Sequence, residues 1–85
     1  MEQVHDLLIT CYVNIAVVNT RAKKYALVIE ACDEVLRLTP NHTKALFLRS
    51  KAFVTPKSAG TTEDEMAIKD LKLALKFEPD NIILQ

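Results

Sequence analysis

The sequence has no tryptophan, one glycine and three prolines in 85 residues. That is too little punctuation for a β-sandwich or barrel, which needs a turn every ~8–12 residues. It also lacks an excess of either charge: eleven Lys and Arg balance eleven Asp and Glu, for a formal net charge of zero. This excludes the broad electrostatic footprint of a protein whose main partner is nucleic acid or an anionic membrane. No apolar run approaches the ~20 residues of a membrane span, and residues 1–20 carry neither a basic n-region nor a cleavage site. Two cysteines, Cys11 and Cys32, are too few for a disulfide scaffold and lack CxxC spacing, so a small apolar role and a reducing, cytoplasmic setting are expected. Asn41-His42-Thr43 spells a glycosylation sequon that a chain without a secretory signal does not use.

What remains is 49% hydrophobic and 26% charged, the composition of one small helical domain. It sits close to the size below which a core is marginal. Val4, Leu7, Leu8, Cys11, Tyr12, Ile15 and Val18 recur at helical spacing, and Ile9, Val13, Ala16 and Val17 cover a second face. A helix apolar on two sides must be buried on more than one of them. A polar, basic stretch from Thr20 to Lys24 interrupts the pattern. Tyr25, Val28, Ile29, Cys32, Leu36 and Leu38 form the next stripe, with Glu30, Asp33, Glu34 and Arg37 on its wet side and Asp33 and Arg37 spaced for an i, i+4 pair. Lys44 to Val54 predicts a third helix. Thr55 to Thr61, with Pro56 and Gly60, predicts a loop. Thr62 and Glu65 have capping-box spacing and open a fourth helix, which carries Met66, Ile68, Leu71, Ala74, Leu75 and Phe77 and stops before Pro79.

Laid on itself, the chain repeats. Val28 to Pro40 aligns with Ala67 to Pro79, with Ile29/Ile68, Leu36/Leu75 and Pro40/Pro79 identical. Pro79 follows Pro40 by 39 residues. Asn19 to Val28 spans nine steps and Phe53 to Ala67 fourteen, and removing the five-residue excess leaves a unit of 34. The excess falls in the expected loop.

A helix–turn–helix unit of that length resembles the tetratricopeptide repeat. The first unit places Tyr12, Ile15-Ala16, Asn19, Tyr25 and Pro40 on the motif, with Lys23 where the turn glycine usually stands. The second places Leu46, Arg49-Ser50, Phe53, Ala67, Ala74 and Pro79. The resemblance implies an all-α fold of two stacked helix pairs. The first repeat covers about residues 9–42 and the second about 43–81, with a loop insertion near 55–62. Residues 82–85 open a further helix. Open ends and the absence of a polar cap lead to the expectation that the chain is a piece of a longer protein, with at least one helical element missing on the N-terminal side.

Within that family, Tyr12 to Ala16, Ala31 to Leu36 and Lys44 to Arg49 are similar to the repeat domains of FK-binding immunophilins and related co-chaperones. The resemblance implies protein recognition in a groove lined by the leading helices, where Asn, Lys and Arg side chains clamp the C-terminal carboxylate of an acidic chaperone tail. Charge-assisted hydrogen bonds to a carboxylate are among the stronger polar contacts available. Carried across, Asn14 and Lys44 match the clamp. Leu48 stands where relatives carry Arg, and Arg49 points about 100° away around the helix. The groove would be lined by Thr10, Val13, Asn14, Val17 and Arg21, then Lys44, Phe47, Leu48 and Lys51. Asn14, as an amide in an apolar helix, is expected to find a polar partner in the adjacent repeat or in a ligand.

No catalytic constellation accompanies these residues. His5 and His42 lie at no metal-ligand spacing and are expected at the surface. Arg21, Lys23 and Lys24 lack the aromatic interleaving of a nucleic-acid site, and Gly60 alone cannot build a phosphate loop. The expectation is a non-enzymatic module with no cofactor and no metal, any prolyl isomerase domain lying outside this sequence. The rival reading is structural, with the open edges packing on another copy or on the rest of the parent protein.

Overall fold

The computed structural model describes residues 2–56 and 60–78. The described residues form four helices in chain order: α1 (Glu2–Arg21), α2 (Tyr25–Leu38), α3 (Thr43–Val54) and α4 (Thr61–Phe77). Short connections make α1–α2 and α3–α4 antiparallel hairpins, and α3 packs against both α2 and α1. The architecture is an all-α helical repeat. The segment 82–85, read as the start of another helix, lies outside the described residues.

The core sits where the first hairpin receives α3. Val13 and Ala16 of α1, Val28, Ala31, Cys32 and Val35 of α2, and Ala45 and Ala52 of α3 form one buried cluster, with Tyr12, Val17, Ile29 and Leu48 packed at its margin. Small residues dominate it. They let the helices approach closely, while Leu46, Val28 and Val35 fill the space between. Of the two apolar faces of α1, the one with Val13 and Ala16 is buried, whereas on the other Val4, Leu7, Leu8, Ile15 and Val18 are all exposed. The inner face of α4 is Ala67, Asp70 and Ala74, whereas Met66, Ile68, Leu71, Leu75 and Phe77 point to solvent.

The helix ends correct two sequence expectations. The cap of α4 lies two residues earlier than the Thr62/Glu65 spacing indicated. Gly60 is the N-cap, and the Glu63 carboxylate accepts its backbone N–H at 2.8 Å. Both threonines are already helical, so the acid that matters is the one three positions after the glycine. That contact first, and the hydrogen bond from its own backbone N–H second, hold the Glu63 carboxyl below its usual pKa. At α3 the cap is His42, whose Nδ1 accepts the Ala45 N–H at 3.2 Å. The ring is half-buried, not a free surface group. Thr43 donates from its hydroxyl to the Glu78 carboxylate, tying the start of α3 to the end of α4.

The α1–α2 turn closes as a complete Schellman motif. Lys23 N–H bonds to the Thr20 carbonyl at 3.1 Å and Lys24 N–H to the Asn19 carbonyl at 2.8 Å. This geometry places Lys23 at φ 60°, in the left-handed region that glycine occupies without strain. Replacing Lys23 by Gly is expected to stabilise the domain by about 0.5–1 kcal/mol, after the entropy of a more flexible unfolded chain is deducted. Urea unfolding checks this, and an unchanged or lower midpoint refutes it.

His42 makes stability pH-dependent with a definite sign. Its pKa is lowered by burial first and by Lys44 second, against the raising influence of its own backbone and of Glu78. A depressed histidine pKa leaves its contribution intact above the unfolded value near 6.5 and removes it as pH falls through the folded one. A protonated Nδ1 can no longer accept the Ala45 N–H. The urea midpoint is therefore expected to drop between neutral pH and pH ~5. His42→Asn, which caps without titrating, should flatten that drop. Equal pH profiles for the two proteins would show that the cap is not responsible.

Candidate functional site

The sequence-expected groove residues divide by exposure. Asn14 and Arg21 on α1 and Lys44 and Lys51 on α3 are exposed, as is Thr10. Val17, Phe47 and Leu48 are half-buried, and Val13 belongs to the core. Leu48 and Val17 pack against that core, so their burial follows from the α1–α3 contact itself. Asn14 is solvated and needs no partner in the adjacent repeat, in contrast to Asn19, whose amide donates to the Ile15 carbonyl at 2.8 Å.

Phe47 and Lys51 also border a second feature. Between α3 and α4 lies an open cavity of about 530 Å³ lined by Phe47, Ser50, Lys51, Val54, Asp64, Ala67, Ile68 and Leu71. A cavity of about 430 Å³ opens at the opposite end of the molecule, between α1 and α2. It is lined by Tyr12, Ile15, Asn19, Leu27, Glu30, Ala31, Asp33 and Glu34.

The polar centre that sequence reasoning missed is structural. Arg49 donates from Nε to Asp70 Oδ2 at 2.8 Å and from Nη2 to Asp70 Oδ1 at 2.7 Å, a bidentate pair. Its third nitrogen, Nη1, donates to Asp33 Oδ1 at 2.8 Å. The guanidinium also lies over the Phe53 ring, 5.9 Å from the centroid. One side chain on α3 thus holds a carboxylate from α2 and another from α4. Asp70 is 3% exposed and Asp33 faces solvent, so the first contact is the more costly one to break. The Asp70 hydrogen bonds, outweighing burial, raise the Arg49 pKa above its ordinary value. Asp33 is therefore spent on α3 and does not pair with Arg37, as i, i+4 spacing had suggested. Arg37 pairs instead with Glu34 at 2.9 Å, in an exposed contact that contributes little.

The signal for this centre was present in the internal alignment. The apolar positions Ile15 and Ala31 of the first repeat become Arg49 and Asp70 in the second, a paired exchange at two sites that face each other. Arg49→Ile alone should cost about 3 kcal/mol, because it strands the Asp70 carboxylate in the interior. Arg49→Ile with Asp70→Ala, which restores the first-repeat pair, should return to within about 1 kcal/mol of the parent protein. Chemical denaturation of the four members of that cycle measures both figures, and additive losses would rule out the coupling.

No reactive chemistry assembles around these groups. Burial is the main influence on Cys32, pushing its thiol up to about 12, with Arg49 opposing; Cys11 is exposed and carries no such partner among the described residues. Among the described residues no group of His, Cys, Asp and Glu is placed to hold a metal ion. No described helix is long and apolar enough to cross a membrane.

The described helices and the exposed cations define a helical-repeat scaffold with a solvated polar face. The chain is similar to peptidyl-prolyl cis-trans isomerase FKBP4 of Mus musculus and of Rattus norvegicus, 27% identical over 81 residues, covering 95% of this chain and 17% of each relative. It is 30% identical over 83 residues to peptidyl-prolyl cis-trans isomerase D of Kluyveromyces lactis, covering 93% of this chain and 21% of the relative. The chain thus spans far less than half the length of the curated relatives it matches. No family model and no solved structure matches it.

Proposed function

We propose that this chain is a tetratricopeptide-like module that recognises protein, docking an extended acidic peptide across the face made by α1 and α3. The observation that carries the reading is the disposition of cations. Arg37 and Arg49 are taken up by ion pairs within the fold. Arg21, Lys44 and Lys51 are exposed on the two leading helices together with Asn14 of α1, whereas the other exposed lysines among the described residues, Lys23, Lys24, Lys69, Lys72 and Lys76, lie on the α1–α2 turn and on α4. Lys44 and Lys51 lie seven residues apart and therefore near one face of α3. The similarity to segments of two kinds of peptidyl-prolyl isomerase supports a role as the accessory region of such a protein. In that setting the ligand is the C-terminal tail of a chaperone, held by Asn14 and Lys44 at its terminal carboxylate. Phe47 and Val17 offer apolar contact alongside. Isomerase chemistry is no part of this segment's role, and the setting is cytoplasmic.

Leu48 defines what such a clamp must do without. It occupies the position from which an arginine would reach the carboxylate, and it is committed to the core. Affinity then rests on two polar groups, with Lys51 and Arg21 available to acidic side chains further along the peptide. Calorimetry with an acidic C-terminal peptide, beside the same peptide amidated, tests this. Micromolar binding that amidation abolishes is expected, and Lys44→Ala should weaken it by about 1.5–3 kcal/mol, the value of a hydrogen bond to a charged group. Equal binding of the free and amidated peptides would overturn the clamp.

A further inference from the structure

We infer that the two end faces of this chain fit each other, so that copies stack head to tail through the junction already present once inside the molecule. The two hairpins are internally equivalent, and their pairing does not rest on the peptide reading, although it shares Phe47 with it. Leading-helix positions correspond at a spacing of 34, as in Tyr12 and Leu46, and trailing-helix positions at 39, as in Cys32 and Leu71. In the first hairpin the surface presented forward, Val13, Ala16, Val28 and Cys32, is buried under α3. The equivalent surface of the second hairpin is Phe47, Ser50, Ala67 and Leu71, and these four line the cavity of about 530 Å³. Ile29 and Leu36 are half-buried, while their counterparts Ile68 and Leu75 are 52% and 44% exposed.

The backward-facing surface shows the same asymmetry in reverse. In the second hairpin Leu46, Phe53 and Asp70 are buried, and Arg49 reaches Asp33 on α2 across the junction. Their counterparts in the first hairpin, Tyr12, Asn19, Ala31 and Ile15, line the cavity of about 430 Å³, and Ile15 is 45% exposed. Among the described residues, the one covered junction therefore joins a forward face to a backward face, and the outer faces of the two hairpins present the unused halves of that pair.

Charge is compatible with the same pairing. Asp33, the anion on the covered forward face, is replaced at the open forward face by Lys72, which is exposed. The receiving cavity at the other end is lined by Glu30 and Glu34, beside the Asp33 that Arg49 already holds. A second copy of this chain thus offers the Glu30 carboxylate, and Glu34 in exchange for Arg37, where the first offers Lys72. The contact is heterologous, so it does not close by two-fold symmetry and adds copies one after another.

Sedimentation of the 85-residue chain between about 10 μM and about 1 mM, the range in which modest interfaces populate, provides the test. The average mass is expected to climb past twice the 9.6 kDa monomer without a plateau at dimer. Ile15→Lys, on the backward face, and Leu71→Lys, on the forward face, are at exposed or partly exposed positions and should each keep the parent far-UV CD spectrum. Each should be monomeric alone. Mixed, they should form a 1:1 dimer and nothing larger, because each brings one intact face. A parent chain that remains monomeric at about 1 mM would overturn the inference and assign both faces to other segments or partners. A parent mass that stops at dimer, or single variants that still oligomerise, would overturn it equally.

Discussion

One guanidinium ties the second hairpin to the first. Arg49 lies on α3, yet its two strongest partners come from α4 and α2, so the side chain spans the hairpin and the junction together. In a core built largely of alanine and valine, apolar packing alone leaves the sliding of one helix along another weakly opposed. A bidentate pair has a narrow geometry and does not slide. The desolvation of Asp70 is offset only while Arg49 stays in place, and Arg49 stays only while α2 and α4 hold their positions. The ion cluster is thus better understood as a constraint on register than as a large source of stability.

The elements were legible because they depend on periodicity, which a single sequence displays fully. The apolar stripes of α1 and α2 and the breakers Pro40 and Gly60 mark the helices and their ends, and the internal alignment supplies the pairing of hairpins. The details that were not legible depend on which neighbour a side chain meets. Asp33 has an i, i+4 partner in Arg37 and a tertiary partner in Arg49, and only the packing of α3 decides between them. Likewise, Thr62/Glu65 and Gly60/Glu63 have the same spacing, and the choice falls to whichever residue first takes helical geometry. His42 was read as a surface residue because its capping role uses a ring nitrogen that motif spacing does not encode. Lys23 is the opposite case. The repeat pattern that the sequence resembles has glycine at this turn, and Lys23 takes the left-handed conformation there without being glycine.

The candidate groove was legible only as a set of positions on two helix faces. What the fold adds is a division of labour among polar residues. Those that serve the fold are paired: Arg49 with two aspartates, Arg37 with Glu34, Asn19 and Thr20 with carbonyls one turn back, and Thr43 with Glu78. Those assigned to the groove, Asn14, Arg21, Lys44 and Lys51, are solvated. No buried side-chain nitrogen or oxygen lacks a partner among the described residues, so the interior places no polar demand on a ligand. Recognition on such a scaffold must come from groups already in water. These exchange solvent for ligand at modest gain per contact, and affinity is assembled from several of them.

The paired exchange of Ile15 and Ala31 for Arg49 and Asp70 also explains why two similar hairpins need not be interchangeable. If both repeats carried the apolar pair, any forward face would accept any backward face with similar packing. With the ion pair in the second repeat, the backward face of that hairpin contains a guanidinium with one nitrogen left over for a carboxylate across the junction. Only a forward face bearing an acid at the Asp33 position satisfies it. The second hairpin carries Lys72 at that position, which would repel the guanidinium. Stacking the second hairpin's forward face on another copy's second hairpin therefore sets like charges together, a stronger discriminator than the loss of an attractive contact. The first hairpin's backward face, with Ile15 in place of the arginine, carries no such penalty. The order of the hairpins is thus written in one charged position on each side of the junction, while the hydrophobic surfaces supply the adhesion common to all of them.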